Sequence, residues 1–412
     1  MFRGDPAHTG VCPSPAPQSL SVKWTFATAE AIVSSPVVAN GTVYVGSSDN
    51  FLYAVDAGTG KLRWKFDAHG NVGSSPAVGG GSVYVVSLDG KLYAVDAATG
   101  AQKWAFATQG ERRHTSAGID YMAPSTEVMP DPWDFFLSSP ALEDGTVYFG
   151  SGDGFVYAVD AATGALRWKF KTDNVVHASP AVAGGTVYVG SFDSYFYALD
   201  SATGELRWRF KTGDDPKTRL MTGIPGSAVV ADGLVVFGCR DANVYALDAR
   251  TGDRRWQFSN NGSWVIATPA VLDGVVYFTT SDSLKFHALD ARTGAELYSL
   301  PYGTYSFSSP AIVGNRAFFG TFDGKLHEVD LGARKYAGEY RVPGSVANGP
   351  RYLDANGKLN APVVWTGDTL DDVIVDIRSK LFALGSILSS PTARDGVLYF
   401  GSADGTLYAL GQ

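Results

Sequence analysis

The sequence predicts an all-β protein: a single closed β-propeller of four-stranded antiparallel blades. Three observations carry the prediction. One phrase, Ala-x-Asp-x-x-Thr-Gly-x-x-x-Trp, returns along the 412 residues. Each period holds four short apolar runs separated by Gly, Asp or Asn turns. The last period lacks its fourth run, and the start of the chain supplies an orphan one. Self-similarity at a fixed period marks stacked supersecondary units, none of which can bury both faces alone.

Taken in order, residues 1–21 contain Pro13, Pro15 and Pro17 and read as an irregular N-terminal arm. The propeller is expected over residues 22–412. Its first run, around Trp24, matches the Trp-x-Phe runs at Trp64, Trp104, Trp168 and Trp208. The first full unit opens at Ser35-Pro36, turns at Asn40-Gly41, and continues through Thr42-Val43-Tyr44-Val45-Gly46. It turns again at Asp49-Asn50, runs from Phe51 to Val55, turns through Asp56 to Gly60, and ends at Phe66. Short β-rich runs joined by such turns form an up-and-down meander. Copies stacked around an axis give a propeller. A solenoid needs capping ends, and none is visible. The final unit stops after residues 406–410, so the Trp24 run is expected to complete it, closing the ring and removing two exposed edges.

The unit openings fall at Pro36, Pro76, Pro140, Pro180, Ser227, Pro269, Pro310, Pro350 and Pro391, which predicts nine blades. Eight follow instead if the unit at 350–390 merges with a neighbour. In that unit residues 361–365, 373–377 and 381–384 are the expected strands, but it has no Asp-x-x-Thr-Gly.

The repeated acids Asp56, Asp96, Asp160, Asp200, Asp248 and Asp290 suit turns, where a carboxylate accepts backbone amides two or three residues on. The five Trp that follow them (Trp64, Trp104, Trp168, Trp208 and Trp256), and Trp24 of the first run, are expected in the seams between blades, each indole N–H on a neighbouring carbonyl. Tyr298 stands where a further Trp is due. A second periodic set, Asp49, Asp89, Asp153, Asp193, Asp241, Asp282, Asp323 and Asp404, reads as hairpin-turn chemistry.

The repeat resembles that of the pyrroloquinoline-quinone (PQQ) enzymes, here Ala94, Asp96, Thr99, Gly100 and Trp104, over residues 22–410. The opening residues 2–10 also resemble the lead-in of bacterial proteins of this kind. That resemblance implies a propeller. The family holds quinoprotein alcohol and glucose dehydrogenases, and also non-enzymatic members such as an outer-membrane assembly lipoprotein and sensor domains. Most are exported, so an extracytoplasmic location is expected, although residues 1–5 lack the basic and apolar pattern of a signal peptide. The alcohol dehydrogenases carry a vicinal disulfide, whereas Cys12 and Cys239 are far apart in the chain; one disulfide or two free thiols are both open. There is no Cys-x-x-Cys-His for heme, and no catalytic or calcium-binding residue matches locally. The expectation is therefore a non-enzymatic binding or scaffold protein without catalytic residue, metal or cofactor. A PQQ- and calcium-dependent dehydrogenase with a divergent site is the alternative.

A net charge of −8 excludes a basic nucleic-acid surface. No apolar run approaches the ~20 residues of a transmembrane segment. Function is expected where the period breaks. The Trp-to-opening spacing is 12 residues in three units, 36 after Trp104 and 19 after Trp208. The long insertion, residues 107–137, and the shorter one lie on the face that the second turns share. Loops on a rigid scaffold carry binding. The candidate binding residues are Arg112, Arg113, His114, Trp133, His177, Arg219, Trp264 and Tyr305, for a protein partner or a small anionic or aromatic ligand. The chain is expected to be a monomer.

Overall fold

The computed structural model describes residues 1–117, 128–213, 223–366 and 370–412. Eight four-stranded antiparallel sheets form the ring. Blades 1 to 7 comprise residues 37–67, 77–107, 141–171, 181–211, 229–259, 270–301 and 311–341. Blade 8 joins Thr392–Arg394, Val397–Gly401 and Thr406–Leu410 to the first strand, Val22–Ala27. In that latch Trp24 pairs with Ala409 and Ala27 with Thr406.

The count is eight, not nine. The expected ninth blade is helical: α1 (Pro343–Tyr352), α2 (Ala361–Val364) and α3 (Leu370–Ala383). Pro350 lies inside α1 and opens no blade. Ile377, Leu381 and Leu384 recur at helical spacing and are all buried, and Asp376 and Lys380 pair one turn apart. Charges at 371, 372, 376, 378 and 380 break any strand alternation, and of the segment's two Asn-Gly pairs Asn348-Gly349 lies inside α1 while Asn356-Gly357 turns only the single bridge between Leu353 and Leu359.

The seam chemistry follows the repeat. The indole N–H of Trp24, Trp64, Trp104, Trp168, Trp208 and Trp256 donates to the carbonyl of Ala57, Ala97, Ala161, Ser201, Ala249 and Ala291 of the next blade, at 2.7–3.2 Å. The acceptor is always the residue after the repeat Asp. The repeat Gly serves the same seam. Gly60 has φ +71°, and a Cβ there would sit 2.8 Å from the Trp24 ring. Where Tyr298 replaces Trp, the next blade has Arg334 at φ 55° in that turn. Its guanidinium lies 5.5 Å over the Tyr298 ring, and the phenol O–H finds no hydrogen-bond partner among the described residues.

The two acid sets do different jobs. Asp56 Oδ1 accepts the amides of Gly58 and Thr59 and the Thr59 hydroxyl. Asp153 Oδ1 accepts the Phe155 amide, and its Oδ2 accepts the Tyr157 hydroxyl at 2.6 Å. Asp49, Asp89, Asp193, Asp241 and Asp404 repeat the second pattern.

The innermost strands line a central channel, and a ring of hydroxyls ties them together. The amides of Ser35, Ser75, Ser139 and Ser179 donate to the Oγ of Ser75, Ser139, Ser179 and Ser227 at 2.8–3.0 Å. Thr268, Ser309 and Ser390 continue it through Ser309, Ser390 and Ser35 at 2.9–3.1 Å. Ser227 thus belongs to the hydroxyl ring, one place before the proline slot, which Ala228 fills. The N-terminal arm crosses these inner strands. The carbonyls of Pro6, Ala7, Thr9 and Gly10 accept the amides of Val182, Val230, Val271 and Ile312, one from each of blades 4 to 7. Those amides belong to inner edges that no other strand covers. Both cysteines are free thiols, Cys12 half-buried and Cys239 buried.

Candidate functional site

The loops from each fourth strand to the next blade meet the second-to-third-strand turns on one face, as the amide of Ala29 on Asp49 Oδ2 illustrates. The described part of the 107–137 insertion folds over this mouth as a lid. Its entry passes so close to blade 3 that a side chain at Gly152 would collide with Glu111 and Arg112.

The lid is held by buried charge. His177, in the connection before blade 4, donates from Nε2 to Glu111 Oε1 at 2.8 Å and from Nδ1 to the Asp134 carboxylate at 2.8 and 2.9 Å. Side-chain exposure is at most 3% for all three. Burial alone pushes the imidazole down, but Asp134, by charge and hydrogen bond, and then Glu111 outweigh it and raise His177 to about 10. With both ring nitrogens facing carboxylates, the doubly protonated imidazolium is the form this geometry requires. Burial works to raise Asp134, but the charge and hydrogen bond of His177 hold it below its ordinary value. Glu111 also accepts the Ser151 hydroxyl and the Gly152 amide, at 3.0 and 2.6 Å. Asp134 accepts the His114 amide at 2.8 Å.

A second strut crosses the mouth. Asp131 pairs with Arg240 of blade 5, and both side chains are fully buried. The guanidinium stacks between Trp264 and Phe192, at 4.9 and 5.1 Å from the ring centroids. Its Nε and second terminal nitrogen have no hydrogen-bond partner among the described residues. His114 stacks on the same Phe192, with centroids 4.3 Å apart, and burial pushes its pKa down.

Toward the axis the lid is apolar. Trp133 and Phe135 pack against Phe307 and Phe322. Tyr352, Val364, Ile377, Leu381 and Leu384 of the helical segment join the same cluster. Beneath it a small cavity is bounded by the hydroxyl ring, Phe136, Phe307 and Phe2 of the arm.

Of the candidate residues, the structure thus brings His114, Trp133, His177 and Trp264 into one buried assembly, with Tyr305 packed on Phe322. Arg112 is exposed and donates from Nε to the Gly152 carbonyl at 2.7 Å, while Arg113 stands to one side, in a cleft near the lid. Arg219, with Asp214, Asp215, Pro216 and Lys217, lies outside the described residues, as do Asp120, Tyr121 and Glu127. Arg240, Phe192 and Phe322 were missed, though a signal existed. They hold one repeat position, just before the second-turn Asp, which elsewhere is Ser48, Leu88, Gly152, Ser281 or Ala403. A position that changes chemical class inside an otherwise fixed frame marks a surface not devoted to the fold.

A family model described as outer membrane protein assembly factor BamB matches residues 17–132, 131–262 and 258–371. The chain belongs to that family. Among solved structures, BamB from Moraxella catarrhalis superposes with a TM-score of 0.69 at 17% identity, over 96% of this chain and 100% of the other. A europium-containing methanol dehydrogenase gives 0.73 at 14% identity, over 100% and 97%. The quinohemoprotein alcohol dehydrogenase of Comamonas testosteroni gives 0.71 at 15%, over 100% and 80%. No curated sequence matches. At these identities the likeness establishes the propeller alone.

For this BamB-family chain the described mouth does not fit a flat quinone with a calcium ion. Trp133, Phe135, Phe307 and Phe322 fill its centre. Among the described residues no group of three or more His, Cys, Asp or Glu could hold a metal ion. Among the described residues of the lid, the carboxylates of Glu111 and Asp134 are committed to His177 and that of Asp131 to Arg240. No helix among the described residues is long and apolar enough to cross a membrane.

Proposed function

We propose that the chain is a non-enzymatic, monomeric and extracytoplasmic scaffold without a resident cofactor, which presents its lidded face to a protein partner. One observation carries the reading. The mouth is filled by the chain's own aromatic cluster, while the helical segment that helps to fill it exposes Val346 and Trp365 on its outside, at 63% and 39%. Exposed large apolar groups on a rigid rim suit protein recognition better than chemistry. Membership of the BamB family supports the same reading. In the test, a photo-cross-linker is placed at Val346 and at Trp365 in cells. Adducts to one defined protein, lost in Val346→Asp/Trp365→Asp while thermal stability stays the same, are the expected result; no adduct from either position overturns the reading.

A second reading, a PQQ- and calcium-dependent dehydrogenase with a divergent site, draws on Arg240, whose buried guanidinium keeps donors free for an anionic group. Reconstitution with PQQ and calcium, followed by dye reduction on alcohols and sugars, separates the two readings. The scaffold reading expects neither a quinone absorption band nor turnover.

A further inference from the structure

Beside the lid, a narrow cleft opens between the insertion and α3. Two arginines face it from separate elements, Arg113 from the lid and Arg378 from α3. Neither makes an ion pair or hydrogen bond among the described residues, whereas Arg63, Arg167, Arg207, Arg240, Arg255, Arg316 and Arg341 each have a carboxylate. The two guanidinium charges also act on each other: burial first, and Arg113 second, hold Arg378 below its ordinary pKa. Asp134 borders the cleft but is already engaged by His177 and the His114 amide.

Arg378 is fixed by stacking. Its guanidinium lies over Phe135 and Phe382, at 5.6 and 5.2 Å, which leaves its edge donors free. The Ser48 hydroxyl and the Asn71 amide also line the cleft, with no side-chain hydrogen bond among the described residues. Val33, Leu88 and Leu137 supply apolar wall. Like charges brought together by two elements of the fold are costly until an anion lies between them. A planar guanidinium fork matches a carboxylate or phosphate by two parallel hydrogen bonds. Apolar walls around a few converging polar groups are the usual form of a small-molecule site.

We propose that this cleft binds a small organic anion, with a carboxylate or phosphate head between Arg113 and Arg378 and a flat apolar body against Phe135 and Leu137. The site does not depend on the scaffold reading, because such an anion can bind whether or not a protein docks on the same face.

Calorimetry on the full chain tests the proposal, with benzoate, phenyl phosphate, inorganic phosphate and neutral benzyl alcohol as probes. Benzoate or phenyl phosphate should bind saturably with a Kd below about 1 mM, and the better of the two identifies the head group. Arg113→Met and Arg378→Met should each weaken that binding at least roughly tenfold, with Arg113→Lys in between. Arg112→Met should leave it unchanged. Without ligand, Arg113→Met should melt no lower than the parent, since it relieves a repulsion. Failure of both aryl anions to bind below about 1 mM overturns the proposal. So does binding that survives the double Met variant, or that benzyl alcohol matches. Tight inorganic phosphate with no gain from the phenyl group overturns the apolar half.

Discussion

Asp160 and Asp131 are both turn aspartates paired with an arginine, yet they belong to different parts of the architecture. Asp160 meets Arg167 seven residues on, with side chains 29% and 42% exposed. Asp131 meets Arg240, 109 residues away, with both side chains fully buried. The first pair decorates a turn that the backbone already makes. The second pins an insertion across the mouth of the ring and has no water to fall back on. In the blades, then, charge is local punctuation, and in the lid it is long-range fastening.

That contrast can be broken most sharply at its buried end. Asp131→Ala leaves Arg240 as a buried charge without a counter-ion, and chemical denaturation should show a loss of about 3–5 kcal/mol. Asp131→Leu with Arg240→Met should recover most of it, because replacing a buried pair by apolar groups is often near neutral. The pH dependence sharpens the comparison next. His177 is raised to about 10 in the fold, above its ordinary value of about 6.5. Its contribution, on the order of a few kcal/mol, is therefore complete below about pH 6.5 and is lost as pH rises toward 10. His177→Gln should flatten stability over that alkaline window. It should leave untouched the loss on the acid side, where His8 and His327, each pushed down to about 4 by burial, stay neutral in the fold and take up a proton on unfolding, so that stability falls as pH drops from about 6.5 toward 4. In the blades, Trp168→Phe removes one seam hydrogen bond to the Ser201 carbonyl and should cost about 1–3 kcal/mol. Arg63→Ala, which breaks the exposed pair with Asp56, should change stability by no more than about 1 kcal/mol.

The same contrast explains what could be read from the chain without coordinates. The blades were legible because their causes are local and repeated. The Asp-x-x-Thr-Gly turn, the Trp on a neighbouring carbonyl, and the pairing of the Trp24 strand with residues 406–410 all follow from spacing alone. The segment after blade 7 was misread because short apolar runs fit strand and helix alike. Only the burial of Ile377, Leu381 and Leu384 on one stripe decides the matter. The partners of Glu111, Asp131 and Asp134 were out of reach for another reason. Their pairs span long stretches of chain, and nothing in a local motif encodes a contact across the ring. Arg240 and the serine ring sit in between, visible only after every unit is aligned position by position.

The shared blade has a consequence for how the molecule is made. Residues 22–27 leave the ribosome long before their partner strand, residues 406–410. Until it does, the nascent chain carries an unmatched strand at one end and an open circle behind it. The circle is therefore completed only once residues 406–410 are available, and chaperones that shield sticky edges have most to do until then.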